Sequence, residues 1–471
     1  MSNSSPLDAY AIDADAEDLA IEGHEADALN DDDETVPAHK VARLSPIERL
    51  WILRSLVHRG GADYFVDEHS YAIDAVAKAL KLKPFDDYPD KRAIIRAIEQ
   101  LHRDAEKKWS KARVAEPLHG NVRQLAKALQ LSMVDRRILE FVIRLHQNRD
   151  LVRALDLSVL RGMTMPLSQI GSLILSLPMA SVQAAISKYG RLVQSGLLKI
   201  GEEAPRFLGN SFELLNDAFA SRMMQHNLPI SDLLAGTVNA APAGHLQLAD
   251  YSHIQAQLDV LLPYLRSSIA SGNKGVNVLM YGYTGTGKTQ LARALGAEAL
   301  GAPVKEVASA DEEGDSITGS RRLQAFRLAQ NLLPKHQSLL VFDEVEDVFV
   351  NHGGRFNDSA QSQKAWMNNL LEGNALPTLW LCNSIDSLDP AFIRRFDMVM
   401  ELPIPPKQQR ARILQNCCGD LLDAPTISRV AELEKLAPAM ATRAAAVLRQ
   451  VQADLPSSLA PASAFDLLIN G

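Results

Sequence analysis

The chain has 471 residues, enough for two to four domains at roughly 150 residues each. Its 46% hydrophobic and 23% charged residues exclude a wholly disordered chain. Its three cysteines, Cys382, Cys417 and Cys418, exclude a disulfide-built fold and have no zinc-site spacing. No apolar run reaches the roughly 20 residues of a membrane helix, and the N-terminus lacks the basic, apolar, cleavable pattern of a secretory signal. No membrane insertion is therefore expected, and a cytoplasmic location is the default.

The net charge of −8 hides an uneven distribution. Residues 1–39 hold twelve Asp or Glu and no Lys or Arg, while the remaining 432 residues set 49 basic against 45 acidic side chains. An acidic head with so few large apolar groups cannot bury enough surface to order itself. It reads as a disordered tail over 1–40: a solubilising segment, a docking peptide or an internal mimic of nucleic acid. The nearly neutral body does not announce a nucleic-acid binder.

Order is expected from Leu44. Ser45-Pro46 followed by Ile47, Leu50, Ile52, Leu53 and Leu56 predicts a capped helix with proline in its first turn, stopped at Gly60-Gly61. Ile73, Val76 and Leu80 predict a helix over 71–80. Ile94, Ile95, Ile98 and Leu101 predict another running to about Trp109. Together they suggest a helical bundle over 41–112.

The next block, 118–232, reads as helical, with a winged-helix-like order of elements. Leu125 and Leu129 mark one helix. Ile138, Leu139, Val142 and Ile143 mark another, with Ser132 as its cap. Two further helices are predicted over 167–177 and 182–197, separated by a turn at Pro178 and followed by a short strand over 197–200. Helix, turn, helix, strand is the order of winged-helix domains. Residues 121–206 hold twelve Lys or Arg against six Asp or Glu, and the helix over 182–193 could enter a major groove. That helix offers only Lys188 and Arg191 as basic groups, so protein docking or a structural role is favoured over DNA. A linker is predicted over 234–244, then a helix carrying Ile254, Leu258, Leu261, Leu262, Leu265 and Ile269.

From residue 276 the sequence carries chemistry. Val276-Asn277-Val278-Leu279-Met280-Tyr281 suits a buried parallel strand. It enters Gly282-Tyr283-Thr284-Gly285-Thr286-Gly287-Lys288-Thr289, a full phosphate-loop pattern. Glycines let backbone N–H groups turn to the phosphates, and the following helix adds unpaired N–H groups. Lys288 is placed to reach the β- and γ-phosphates, and Thr289 to ligate Mg²⁺. Leu339-Leu340-Val341-Phe342 predicts a strand with Asp343 and Glu344 at its C-terminal end, where open α/β sheets keep their chemistry. Asp343 should hold the metal through water, and Glu344 should polarise the attacking water. Glu346 and Asp347 read as surface or subunit-contact charges. A third strand ends at Asn383, which could bond the γ-phosphate or the attacking water. Arg394 and Arg395, just beyond a short helix, suit phosphate contact across a subunit boundary.

In this order the motifs resemble the AAA+ ATPases, most closely the classical AAA branch, over about residues 245–452. The resemblance implies an α/β P-loop core with a parallel sheet over 245–405, and a helical lid with a C-terminal tail over 406–471, preceded by a mainly helical N-terminal region. Within the lid, 408–417 and 430–436 are expected helices. By resemblance, 282–289 is the Walker A loop and Asp343-Glu344 closes Walker B. Asn383 matches sensor 1, Arg394 and Arg395 match the arginine-finger region, and Arg443 sits where sensor 2 is often found. ATP and Mg²⁺ are the implied cofactors, with a homo-oligomeric ring, commonly a hexamer, as the implied assembly.

In relatives that unfold proteins, a pore loop carries an aromatic residue two positions before a glycine. Here the corresponding segment is Ile317-Thr318-Gly319, with a branched aliphatic in the aromatic position. The loop 351–357, with Arg355 and Phe356, is a second candidate for lining a pore. The expected function is ATP-driven remodelling or disassembly of a protein client or complex recruited by the N-terminal region. A DNA-associated ATPase and a nucleotide-gated scaffold are the alternatives.

Overall fold

The computed structural model describes residues 44–470, apart from 59, 85–89, 160–164, 202–206, 227, 302–303, 312–313, 334–337, 350–366, 387 and 457–458. The acidic tail and the 351–357 loop with Arg355 and Phe356 lie outside the described residues. The chain divides into two compact units, with the boundary between Leu233 and Leu234. No helix among the described residues is long and apolar enough to cross a membrane.

The N-terminal unit is mainly helical. Its longer helices span Pro46–His58, Lys91–Trp109, Leu118–Leu129, Met133–Gln147 and Arg149–Val159. Ser132 caps its helix as expected: its hydroxyl accepts from the Asp135 N–H at 3.1 Å, and the Asp135 carboxylate accepts from the Ser132 N–H at 2.8 Å. The helix expected over 71–80 is confined to Asp74–Ala79, because Tyr71 is in a short bridge with Val66. The helices Ala62–Phe65 and Arg149–Val159 were not foreseen.

Helix Leu167–Leu175 is followed by helix Met179–Ile186, and strand β1 (Leu198–Ile200) pairs antiparallel with β2 (Phe212–Leu214). The single helix expected over 182–197 is broken. The Ser187 hydroxyl donates to the Ala184 carbonyl at 2.9 Å and accepts from the Tyr189 N–H at 3.3 Å, so the side chain takes over bonds that would continue the helix. A separate short helix then spans Arg191–Gln194.

The C-terminal unit is built on a six-stranded sheet with two kinds of neighbour. Strands β5 (Lys305–Val307), β6 (Leu340–Phe342), β7 (Thr378–Cys382), β4 (Asn277–Tyr281) and β8 (Met398–Glu401) lie side by side in that order, all parallel. Strand β3 (Val238–Ala240) adds an antiparallel edge to β5, pairing Val238 with Val307. The stretch expected to be a linker is therefore partly sheet, and the sheet is mixed rather than wholly parallel.

Each central strand is buried on both faces. Leu379 and Leu381 join Val278, Met280, Leu291, Leu295 and Val341 in one core layer. On the other face Trp380 stacks on Phe342 with ring centroids 5.2 Å apart, and meets Phe326 at 5.0 Å.

A helical lid follows, with its own core around Leu414, Val430, Leu448 and Phe465. Its helices span Lys407–Cys418, Ala424–Val430, Pro438–Val451 and Pro461–Asn470. The helix expected over 430–436 lies one segment earlier. Asp423 caps it by accepting from the Thr426 N–H at 3.0 Å, and proline occupies its first turn.

Candidate nucleotide site

The loop 282–289 joins the end of β4 to helix Lys288–Leu300 at the C-terminal edge of the parallel strands. Gly282 has φ +154°, and a Cβ there would fall well inside 3.0 Å of the Leu402 carbonyl oxygen. Only glycine lets the chain leave β4 so close to the chain leaving β8.

Four of the predicted side chains converge. The Thr289 hydroxyl donates to Asp343 Oδ2 at 2.7 Å. The Lys288 ammonium is buried and donates to the carbonyls of Gly282 at 2.7 Å and Tyr283 at 3.2 Å, and to Asn383 Oδ1 at 3.0 Å. Burial lowers its pKa from the ordinary lysine value, and the nearby Asp343 carboxylate works in the opposite direction. Thr284 Oγ1 lies 3.4 Å from Asn383 Oδ1. The Thr286 hydroxyl donates to Tyr283 O at 2.9 Å, while the Tyr283 ring is 72% exposed. Beside Asn383, burial pushes the Cys382 thiol up to about 12, so it is a packing group rather than a nucleophile.

Glu344 is exposed and has φ +54°, the left-handed region for a residue with a side chain. Its N–H donates to Asp343 Oδ1 at 2.9 Å. Thr289 and Asp343 supply one hydroxyl and one carboxylate oxygen side by side. Magnesium takes few protein oxygens and completes its shell with phosphates and water, so this donor set fits it. No cluster of His, Cys, Asp and Glu among the described residues could hold a metal by protein groups alone.

Two residues play parts that sequence reasoning missed. Glu346 was expected at the surface or a subunit contact. Its carboxylate also accepts the backbone N–H of Asn383, tying the segment after Asp343-Glu344 to the end of β7. Arg322, on helix Gly319–Leu332, is 1% exposed and donates to the backbone carbonyls of Asp343 and Glu344. No local sequence signal marks either role, because both depend on strands distant in the chain.

The lid reaches the loop directly. The Ala439 N–H, in the first turn of helix Pro438–Val451, donates to Gly285 O at 3.1 Å. Behind the loop, the Tyr251 hydroxyl donates to Gly287 O at 3.0 Å.

Arg443 is exposed in the second turn of the same lid helix. Arg394 and Arg395 are exposed beyond helix Pro390–Ile393. Arg394 Nε donates weakly to Pro390 O at 3.3 Å, and Arg395 pairs with the Glu372 carboxylate. Neither arginine bonds a residue of the 282–289 loop among the described residues. In the segment 317–319, the Ile317 N–H donates to Ser309 O at 2.9 Å, and Thr318 precedes the first turn of helix Gly319–Leu332.

Residues 278–404 match the family model described as ATPase family associated with various cellular activities (AAA). The chain is 29% identical over 197 residues to an ATP-dependent zinc metalloprotease FtsH of Acidothermus cellulolyticus, covering 38% of this chain and 29% of that protein. It is 33% identical over 191 residues to ATPase family gene 2 protein homolog B of Mus musculus, covering 37% and 25%. It aligns with the crystal structure of the FIGL-1 AAA domain in complex with ADP over 52% of this chain and 90% of that one, at 19% identity and TM-score 0.36. The chain thus spans under a third of the length of these two curated relatives. Residues 278–404, which hold most of the α/β core and the phosphate loop, thus match an AAA ATPase domain.

Proposed function

We propose that this protein is an ATP-hydrolysing machine of the classical AAA type that works as a ring, commonly a hexamer, and remodels or disassembles a protein client or complex. The observation that carries the proposal is a pair of hydrogen bonds, Lys288 to Asn383 and Thr289 to Asp343, which join two neighbouring residues of the loop to two strand ends.

Each residue has a physical task. The Lys288 ammonium now bonds neutral oxygens, and γ-phosphate oxygens are stronger acceptors for it. Thr289 and Asp343 would hold Mg²⁺. When bound, the ion supplies charge neutralisation across the β- and γ-phosphates. Glu344 accepts a proton from the attacking water, and Asn383 aligns that water or the γ-phosphate. Arg394 and Arg395 act on the site of a neighbouring subunit, where a guanidinium stabilises developing charge. Arg394 is the better candidate, because Arg395 must first leave Glu372. Arg443 senses the nucleotide from the lid. The bond from the Ala439 N–H to Gly285 O supports a lid that is coupled to the nucleotide loop. Ile317, Thr318 and Gly319 contact the client at the pore.

Protein recruitment by the N-terminal unit is favoured over DNA binding. The second helix of its helix-turn-helix, Met179–Ile186, reads MASVQAAI and carries no charge. It exposes Met179, Ala180, Gln183 and Ala184, a surface poor in phosphate-binding groups. The presence of both Asp343 and Glu344 in the sequence supports turnover over a purely nucleotide-gated scaffold.

The test is complementation between inactive subunits. Arg394→Ala and Lys288→Met should each abolish turnover alone. Mixed, they should recover a fraction of it, because an intact loop then meets an intact Arg394 from its neighbour. Specific activity of the wild type should rise with protein concentration as mass increases. Full turnover by a monomer, with no recovery on mixing, would overturn the ring.

A further inference from the structure

We infer that Arg322 is a positioning residue for Glu344: it fixes both peptide planes that flank the Glu344 Cα and so sets the direction of the water-activating carboxylate. The inference rests on the reading of this site as an ATPase.

The geometry is specific. The Arg322 guanidinium lies over the Phe342 ring, 4.5 Å from its centroid, beneath the last residue of β6. From there Nη2 donates to the Asp343 carbonyl, and Nη1 donates to the Glu344 carbonyl at 3.4 Å. The first carbonyl belongs to the peptide whose rotation is φ of Glu344. The second belongs to the peptide whose rotation is its ψ. One planar fork therefore holds both dihedrals of a single residue.

That residue is at φ +54°, where a side chain is disfavoured and the conformation must be enforced by its surroundings. Arg322 itself is held from below. Its N–H donates to Thr318 O at 3.0 Å in the first turn of helix Gly319–Leu332, and it is almost wholly buried. An ammonium could reach one of the two carbonyls but could not bridge both with a planar fork. An apolar side chain could reach neither.

The test uses the full-length protein with Arg322→Met and Arg322→Lys. Steady-state turnover gives kcat and KM, a fluorescent ATP analogue gives nucleotide affinity, and a thermal scan follows folding. Misplacing a reacting group by about 1 Å costs on the order of a hundredfold in rate. Arg322→Met should therefore lower kcat by about ten- to a hundredfold, with KM and nucleotide affinity changed by less than about threefold. Arg322→Lys should fall between Arg322→Met and wild type.

If Arg322→Met does not fold, Arg322→Lys decides alone by the same split between kcat and KM. Wild-type kcat in either folded variant would overturn the inference. So would a loss expressed only in KM, or loss of nucleotide binding with unfolding in both variants. A wild type without turnover would instead remove the ATPase reading itself, and is told apart because the wild type is measured in the same series.

Discussion

Alanine at position 282 should cost far more than alanine at position 301, although both glycines have positive φ. Gly301 ends helix Lys288–Leu300 at φ +66°, and a Cβ there meets nothing within 4 Å. Only the left-handed backbone penalty applies, about 1–2 kcal/mol. Gly282 combines a glycine-favouring φ of +154° with overlap against backbone that cannot rotate away. Its Cβ would lie 3.1 Å from the Leu402 carbonyl carbon and closer still to its oxygen. The Leu402 N–H donates to Tyr281 O at 2.7 Å, so pushing the two segments apart breaks that bond as well. Backbone strain of about 1–3 kcal/mol and overpacking of about 1–3 kcal/mol place the total near 4 kcal/mol. For a unit of this size each kcal/mol moves the midpoint by about 2–4 °C. Gly282→Ala should therefore lower the melting transition of the C-terminal unit by about 8–16 °C, against about 2–8 °C for Gly301→Ala. Native-state hydrogen exchange in peptides covering β4 and β8 assigns the loss to that unit. Equal losses in the two variants would refute the overlap argument.

Lys288→Met removes a buried ammonium that would bond phosphate. At about 1.5–3 kcal/mol per charge-assisted bond, ATP affinity should fall by about 10- to 150-fold, read by titration of a fluorescent nucleotide; unchanged affinity would contradict its placement. In the N-terminal unit, burial first and then the charge of His58 lower the His102 pKa below the ordinary 6.5, against the raising influence of Glu106. The His58 and His102 rings meet edge-on at 5.0 Å, and His102 Nε2 lies 3.4 Å from Glu106. The unfolded histidine thus takes up its proton at a higher pH than the folded one. The stability it contributes is complete above pH 6.5 and is lost as pH falls from there through the folded pKa. Exchange protection of helix Lys91–Trp109 should fall between pH 7.5 and 5.5 after correction for intrinsic rates, and His102→Gln should flatten that slope. An unaltered slope in the variant would place the effect elsewhere.

Legibility followed the range of the interaction. The phosphate loop is local chemistry, with glycines at fixed spacing between a strand and a helix, so 282–289 could be read directly. Asp343 and Asn383 were legible because apolar strands deliver polar residues to one edge of a parallel sheet. Strand β3 was not, because Val238–Ala240 sits among residues typical of linkers and becomes a strand only by pairing with β5. The broken helix at Ser187 turned on one hydroxyl choosing its own backbone. Arg322 and Glu346 read as ordinary polar residues of helical segments. Their roles arise only when β6 and β7 bring carbonyls and an N–H to them.

ATP binding and turnover measured together for wild type and Glu344→Gln test the central claim most directly. Gln keeps the size of the side chain and removes the proton acceptor, while Lys288, Thr289 and Asp343 remain to bind nucleotide. The variant should hold ATP with wild-type affinity and lose at least about a hundredfold in kcat. Wild-type turnover by Glu344→Gln would contradict the assignment of this site as the place where ATP is hydrolysed.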